Sequence, residues 1–445
     1  MKPNQQPVPK TTLPRRGFLK LAAAAVAAPL VIPSRALGLD GAVAPSNRVT
    51  IGMVGVGDHG VARNLMGFFQ NADAQVIAVN DVDRGRCESA RARVDEHYTK
   101  SLKAAGGYKA CDAYADFREV LARKDIDAVC VSTPDHWHMI PSVMAIRAGK
   151  DVICEKPLTL TVAEGRLLAD EVKRYGAIFQ TSSENRSIPT YRRMCELVRN
   201  GRLGKLKRIE VGLPYGNRGP AKVTFGDPPK DLDYDFWLGP APVVPYCAER
   251  VHYNFRWVWD YSGGVLTDWG AHLIDLAQWA HDTELTGPVT VEGKGEVEPH
   301  PIYNTYQRFD INYTYADGVE LRVYSKQPTL RFEGTDGWIQ SEGWRARPTA
   351  SPASLLDEQL RPGEVRLYGA VEDGEHRNFL DCVKSRRPCY GPAEVGHRTI
   401  SVAHIANIAM RLGKKLRWDP AAERFPDDDS ANRLLTRAMR EPWRL

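Results

Sequence analysis

From residue 48 onward, short apolar runs alternate with stretches of helical periodicity, the pattern of a parallel sheet covered on both faces. Residues 49–54 read as a buried strand, followed by a glycine turn and a helix through 61–66. Strands are predicted at 75–80, 126–132, 151–154 and 177–181, with helices through 139–147 and 162–175 and a long polar helical stretch before Phe117. After about residue 200 the period changes. Residues 205–211, 289–293, 308–315 and 320–325 alternate apolar and polar positions, and Ala316-Asp317-Gly318 reads as a hairpin turn between the last two. The fold class expected is therefore α/β, a doubly wound parallel sheet followed by an α/β domain with a large, mostly antiparallel open sheet. The Pro- and Gly-rich stretches 214–229 and 348–362 read as long loops, and 375–445 as a helical segment packing back across both domains. The boundaries expected are a leader at 1–44, a first domain at 45–180, a second at 181–400 and a C-terminal helical tail at 401–445.

The first forty residues differ in character. Pro14-Arg15-Arg16-Gly17-Phe18-Leu19-Lys20 precedes an uncharged run over 21–32, which reads as a twin-arginine export signal. The run ends at Pro33, short of the roughly 20 apolar residues a membrane span needs, so no stable membrane anchor is expected. Twin-arginine export carries folded proteins. The expectation is a periplasmic protein that meets the twin-arginine translocase with any cofactor already loaded. The chain has 60 Lys plus Arg against 55 Asp plus Glu, a formal net charge of +5. Six of the basic residues lie within 1–36, which hold no acid, so the mature protein is close to neutral and nucleic acid is not an expected partner. The eight cysteines form no C-x-x-C pair and read as buried thiols, with one or two late disulfides left open by an oxidising destination.

Gly55-Val56-Gly57-Asp58-His59-Gly60 follows a predicted strand and opens a predicted helix, the context in which a G-x-G-x-x-G turn cradles a dinucleotide pyrophosphate. Asp81 ends the second strand, where an acid accepts the adenosine ribose hydroxyls and repels a ribose phosphate. NAD is thus favoured over NADP, and Asp83 could share the role. Thr133, Pro134 and His138 lie on the loop after another parallel strand, at the carboxyl edge where such sheets bind ligands. Its two histidines have no nearby Cys or acidic cluster, so the loop reads as packing at the cofactor's edge and no metal is expected.

Glu155-Lys156-Pro157 ends a further strand and should project into the same crevice. In the second half, Gly263-Gly264-Val265-Leu266-Thr267-Asp268-Trp269-Gly270-Ala271-His272 leads into a predicted helix, with Asp268, His272 and Asp275 at i, i+4 and i+7. Polar residues on such an apolar helix fit a satisfied buried histidine, a metal site, or a general base oriented by a carboxylate. For alcohol oxidation, a neutral imidazole would take the hydroxyl proton, Lys156 would stabilise alkoxide charge and Asp268 would help position the group.

Together with Phe332-Glu333-Gly334-Thr335-Asp336-Gly337-Trp338, these motifs give a chain that resembles the Gfo/Idh/MocA family of dinucleotide-dependent sugar oxidoreductases over nearly its whole mature length. The resemblance implies a Rossmann domain and an α/β domain whose open sheet walls the substrate site and often forms an oligomer interface, so a homo-oligomer is expected. In inositol dehydrogenase-like members the positions matching Lys156, Asp268 and His272 form a catalytic triad with the histidine as acid/base. Exported members that retain their cofactor resemble this chain but carry tyrosine at the position of His272, so their substrate pair is not carried over. The cofactor-binding set expected is Gly55, Val56, Gly57, Asp58, His59, Gly60, Asp81, Thr133, Pro134, His138, Glu155 and Lys156. Substrate contacts are expected from Asp268 and His272. For Asn185, Arg186, Arg256 and Trp259, substrate contact and packing beneath a loop are both open. The leading function is NAD-dependent oxidation or reduction of a secondary hydroxyl on a small carbohydrate or cyclic polyol, with a retained cofactor. A redox-neutral glycoside hydrolase and a non-catalytic sugar-binding protein are the alternatives.

Overall fold

The computed structural model describes residues 43–102, 110–220, 222–368 and 374–444. The export motif and the leader before residue 43 lie outside the described residues. The first sheet comprises β1 (Val49–Val54), β2 (Ala74–Asn80), β3 (Asp112–Tyr114), β4 (Ala128–Val131), β5 (Asp151–Cys154) and β6 (Phe179–Thr181). Its order is β3-β2-β1-β4-β5-β6 and every pairing is parallel. Such strands are covered on both faces, which is why β4 and β5 are buried along their whole length and read as continuous apolar runs. The order reverses between β1 and β4, so a crevice opens at their carboxyl ends, the place where open α/β sheets take ligands. The edge strand β3 was not anticipated. It is three residues long, too short for a period-2 pattern to register.

The second sheet comprises β7 (Leu206–Leu213), β8 (Thr290–Glu296), β9 (Arg308–Thr314), β10 (Glu320–Ser325), β11 (Thr329–Gly334), β12 (Trp338–Glu342), β13 (Thr349–Ser351) and β14 (Leu416–Arg417). The order is β13-β12-β11-β7-β10-β9-β8-β14, antiparallel throughout except for β7 against β10. Strand β9 shows how the sheet is sided: Phe309, Ile311 and Tyr313 are buried while Arg308, Asp310 and Asn312 are exposed. The inner face joins one apolar core with the helices Pro189–Arg199, Gly270–His281 and Ala393–Leu412. The outer face carries ion pairs such as Arg322–Asp310 and Arg331–Glu333.

The expected boundary at residues 400–401 falls inside the unbroken helix Ala393–Leu412. The segment before it has already returned to the first sheet, where Phe379, Leu380 and Cys382 of the helix Gly374–Ser385 join the core formed by Val49, Ile51 and Val76. Beyond residue 412 the chain is helical, among the described residues, only at Asp429–Asn432 and in the 3-10 turn Arg433–Leu435. It supplies the edge strand β14, and Trp443 then reaches back to Trp137 at 4.7 Å and Phe236 at 5.0 Å. All eight cysteines are buried and unbridged.

Candidate active site

The glycine turn after β1 is shaped by what it must pass. Gly55 has φ +84°, and a Cβ there would lie 2.8 Å from the Ser132 carbonyl. A Cβ on Gly60 would lie 2.7 Å from the Gly55 carbonyl oxygen. Only glycine allows the turn, the β4 loop and the following helix to come this close. Asp81 ties the turn down, Oδ2 accepting from Val56 N at 2.9 Å and Oδ1 from Asp83 N at 2.9 Å. Burial pushes the Asp81 carboxyl up to about 6 against the pull of those two amides. Asp58 is exposed and paired with Arg86 at 3.1 Å. Val56 gives its amide to Asp81 while its side chain joins the core.

A cavity of about 450 Å³ opens beside this turn, lined by Gly55, Gly57, Asp58, His59, Gly60, Asp81, Thr133, Pro134, Glu155, Lys156 and Arg256. Its far wall was not legible beforehand. Leu232, Phe236, Trp237, His252, Tyr253 and Phe255 come from the second half of the chain and roof the cavity. Backbone bonds hold the roof to the first sheet: Asp233 N donates to Val82 O at 3.0 Å and Arg84 N to Asp231 O at 2.8 Å. Trp137 Nε1 donates to Trp237 O at 3.0 Å, and His136 Nε2 pairs with the same carbonyl at 3.0 Å. Glycines at the helix start, a carboxylate at the end of β2 and a buried Thr133 hydroxyl, unpartnered among the described residues, on the opposite wall fit a dinucleotide.

Lys156, which lines the cavity, donates Nζ to Asp268 Oδ1 at 2.6 Å and to the Asp268 carbonyl at 3.2 Å; Asp268 and His272 lie behind it and do not themselves line the cavity. Arg256 Nε lies 3.4 Å from Asp268 Oδ2. Burial pushes the Asp268 carboxyl up, but Lys156 and then Arg256 outweigh it and hold the group well below the usual carboxylate range. Asp268 ends the helical turn Val265–Asp268, which follows the Gly263-Gly264 bend. Ser262 Oγ fixes that bend by donating to Asp135 Oδ2 at 2.7 Å, and Asn407 Nδ2 by donating to Gly263 O at 3.1 Å. His272 follows one turn later, buried, with Nδ1 lacking a hydrogen-bond partner among the described residues. Burial, followed by the Lys156 charge, holds its pKa well below that of free imidazole, so the ring is neutral at physiological pH.

Glu155 belongs to a separate cluster on the same strand end. His59 Nε2 lies 2.9 Å from Glu155 Oε1, and Asn64 Nδ2 donates to that oxygen at 2.8 Å. Glu155 raises the pKa of His59. Asn64 in turn accepts His376 at 3.0 Å through Oδ1. Neither Asn64 nor His376 belongs to a motif that the sequence could have flagged.

Three expected site residues are used elsewhere. Arg186 is buried, with Nε and Nη2 on Asp275 at 2.7 and 2.8 Å, Nη1 on Glu284 at 2.6 Å, and its guanidinium over Trp279 at 4.8 Å. These are structural ion pairs, and they account for Asp275 on the helix Gly270–His281. Trp259 carries the guanidinium groups of Arg411 and Arg437 at 4.3 Å each, so its ring is occupied by protein. His138 is buried between Pro157 O at 2.7 Å and Thr133 O at 2.9 Å, and it shapes the loop without lining the cavity. Asn185 is fully buried, its Oδ1 3.5 Å from Arg345 Nη2 and its Nδ2 unpartnered among the described residues.

Comparison with known proteins agrees with this layout. Residues 49–183 match the family profile described as the oxidoreductase family, NAD-binding Rossmann fold, and residues 215–445 match its C-terminal alpha/beta domain. Inositol 2-dehydrogenase 1 of Saccharopolyspora erythraea is 32% identical over 355 residues, covering 72% of this chain and 97% of the relative. Myo-inositol 2-dehydrogenase of Thermotoga maritima is 25% identical over 387 residues, covering 83% and 98%. The structure of levoglucosan dehydrogenase in complex with NADH and levoglucosan superposes with a TM-score of 0.63 at 16% identity, covering 83% of this chain and 99% of that one.

Proposed function

The chain belongs to the Gfo/Idh/MocA oxidoreductase family and is an NAD-binding oxidoreductase; from that premise we propose that it oxidises or reduces a secondary hydroxyl of a small carbohydrate or cyclic polyol, with its dinucleotide retained between turnovers. The observation that carries this reading is the 2.6 Å contact by which Lys156 of the first domain, a residue of the cavity wall, meets Asp268 of the second, with His272 one helical turn further on.

When bound, the dinucleotide supplies the hydride acceptor or donor. The protein's own groups handle the proton. In the oxidative direction the substrate hydroxyl loses its proton to the neutral imidazole of His272, and the O–H electron pair stays on oxygen. The Lys156 ammonium hydrogen-bonds that oxygen as negative charge develops, which a water-poor site makes effective. Asp268 keeps the ammonium aimed and balances its charge. In the reductive direction the imidazolium returns the proton. The low basicity of His272 favours its discharge after each turnover.

The relatives named for inositol and levoglucosan act on ring-shaped substrates with secondary hydroxyls, which supports the substrate class proposed here. The cavity roof supports retention, because backbone hydrogen bonds from Asp233 N to Val82 O and from Arg84 N to Asp231 O hold it against the first sheet beside the Asp81 carboxylate. Retention accords with export in the folded state to the periplasm, where free NAD is scarce. It also leaves open a redox-neutral cycle in which an oxidised glycoside eliminates its aglycone before being reduced again. The charged outer face of the second sheet is the surface proposed for a homo-oligomer.

The test is to purify the exported protein, release and identify its dinucleotide, and offer it myo-inositol, levoglucosan and p-nitrophenyl glycosides. Stoichiometric reduced cofactor supports the dehydrogenase; p-nitrophenol release without net NADH supports the redox-neutral cycle. A protein that carries no dinucleotide, binds none and turns over none of these probes refutes both.

A further inference from the structure

His272 lacks the carboxylate that commonly orients a catalytic histidine. Asp268 is committed to Lys156 and faces Arg256, and His272 Nδ1 has no hydrogen-bond partner among the described residues. What meets the imidazole is the indole of Trp344, edge-on, with ring centroids 5.3 Å apart and planes 67° apart. Trp344 also meets Trp269 at 4.9 Å and 71°. Trp269 is the residue that separates the helical turn Val265–Asp268 from the helix Gly270–His281, so one indole braces both the helix break and the imidazole.

Trp344 sits on the connection from β12 to β13, and that connection is fixed at some cost. Its neighbour Arg345 has φ +56°, a left-handed conformation disfavoured for a non-glycine residue. Three interactions hold it: Arg345 N donates to the Tyr191 hydroxyl at 2.9 Å, Nη2 pairs with Glu184 Oε1 at 2.7 Å, and the guanidinium lies 5.1 Å over the Trp344 ring. A strained residue so firmly restrained, beside the group that moves the proton, points to a function for the loop.

We propose that Trp344 is the positioning residue for His272: the β12–β13 connection presses an indole against the imidazole, fixing the ring's plane by packing and excluding water from it. The inference rests on the reading of His272 as the acid/base. The charged groups that face the imidazole are Lys156 and Glu155 from the end of β5, Asp268 from the preceding turn and Arg345 from the Trp344 loop. Lys156 and Arg345 lower the basicity of the ring, Asp268 and Glu155 raise it, and burial is the largest influence, so it is the exclusion of water that the indole chiefly controls.

The experiment uses the dinucleotide-loaded full chain with 15N-labelled histidine. The ring nitrogens of His272, assigned by their loss in His272→Ala, are titrated in wild type, Trp344→Ala and Trp344→Phe. Turnover is followed in parallel with myo-inositol and levoglucosan as probes. In Trp344→Ala the His272 titration should move upward by at least about one pH unit as water enters. With a probe that turns over, kcat should fall about 10- to 100-fold, the acid limb of the kcat profile should rise with the titration, and KM and dinucleotide content should hold. Trp344→Phe should restore kcat to within about threefold, since a ring edge is retained. Trp344→Leu, which keeps apolar volume without an aromatic edge, replaces the alanine variant if that does not fold. An unmoved titration overturns the inference whether or not a probe is turned over. So does a loss of kcat that phenylalanine does not restore and that tracks loss of dinucleotide. Turnover surviving in His272→Ala removes the acid/base reading itself; turnover abolished in His272→Ala but intact in Trp344→Ala removes the positioning inference alone.

Discussion

Asp268→Asn isolates the charge that joins the two domains. The amide is isosteric, so packing is preserved while one negative charge leaves a site where Lys156 Nζ lies at 2.6 Å and Arg256 Nε at 3.4 Å. At an effective dielectric of about 20, the gross attractions across those distances are roughly 6 and 5 kcal/mol. Most of each is offset by the cost of taking the charges out of water, and breaking one partner of a buried pair typically costs about 3–5 kcal/mol net. The variant should therefore melt several degrees lower. Its kcat should fall about 10²- to 10³-fold, the loss seen when a preorganised donor to a developing oxyanion is misplaced. The double variant Lys156→Met/Asp268→Asn removes the orphaned ammonium as well. It should regain about 1–3 kcal/mol of the lost stability while remaining inactive. Thermal unfolding, dinucleotide content and steady-state kinetics on the three proteins form the assay. A double variant no more stable than Asp268→Asn would refute the coupling, and a kcat within about twofold of wild type in Asp268→Asn would refute the electrostatic role of the pair.

Asp81→Ser should shift cofactor preference toward NADP by at least about tenfold, near 1.4 kcal/mol. The carboxylate that repels a ribose phosphate is then gone, while Arg86 remains beside Asp58 and Asp83; titration with NAD and NADP reads the ratio, and an unchanged ratio would count against Asp81 as the ribose acid. Phe236→Ala opens the cavity roof and should raise the dinucleotide dissociation rate about tenfold or more at little cost in kcat under saturating cofactor; wild-type retention in that variant would disprove the roof's role. Arg186→Met should lower stability by about 3–5 kcal/mol, because Asp275 is left buried and unpaired, yet leave kcat per folded molecule within about threefold. A selective rise in substrate KM at unchanged melting temperature would instead return Arg186 to the substrate site.

The contrast between Lys156 and Arg186 shows what a sequence can disclose about such a site. Both are cations that closely follow parallel strands, β5 and β6, and residue type alone offers them the same roles. Lys156 and Asp268 stand 112 residues apart, yet each lies in a run whose local geometry is forced, a strand end on one side and a Gly-Gly bend into a helix on the other. Local rules therefore place both near the crevice. For Arg186 the sequence leaves substrate contact and packing both open because its partner, Asp275, is 89 residues away on the same helix as His272, with Glu284 beyond it, and only the packed helix reveals that the guanidinium is already satisfied. Trp259 is left open for the same reason, its ring being occupied by arginines from residues 411 and 437. Trp344 was missed in the opposite sense. Nothing in Gly343-Trp344-Arg345 signals chemistry, and its approach to His272 depends on the β12–β13 connection being locked by Tyr191 and Glu184. Strand-end motifs thus report where backbone geometry aims a side chain, whereas the groups that orient or consume it are set by long-range packing. That division makes the Trp344 variants, more than those at the motif residues, the measure of whether this site has been understood.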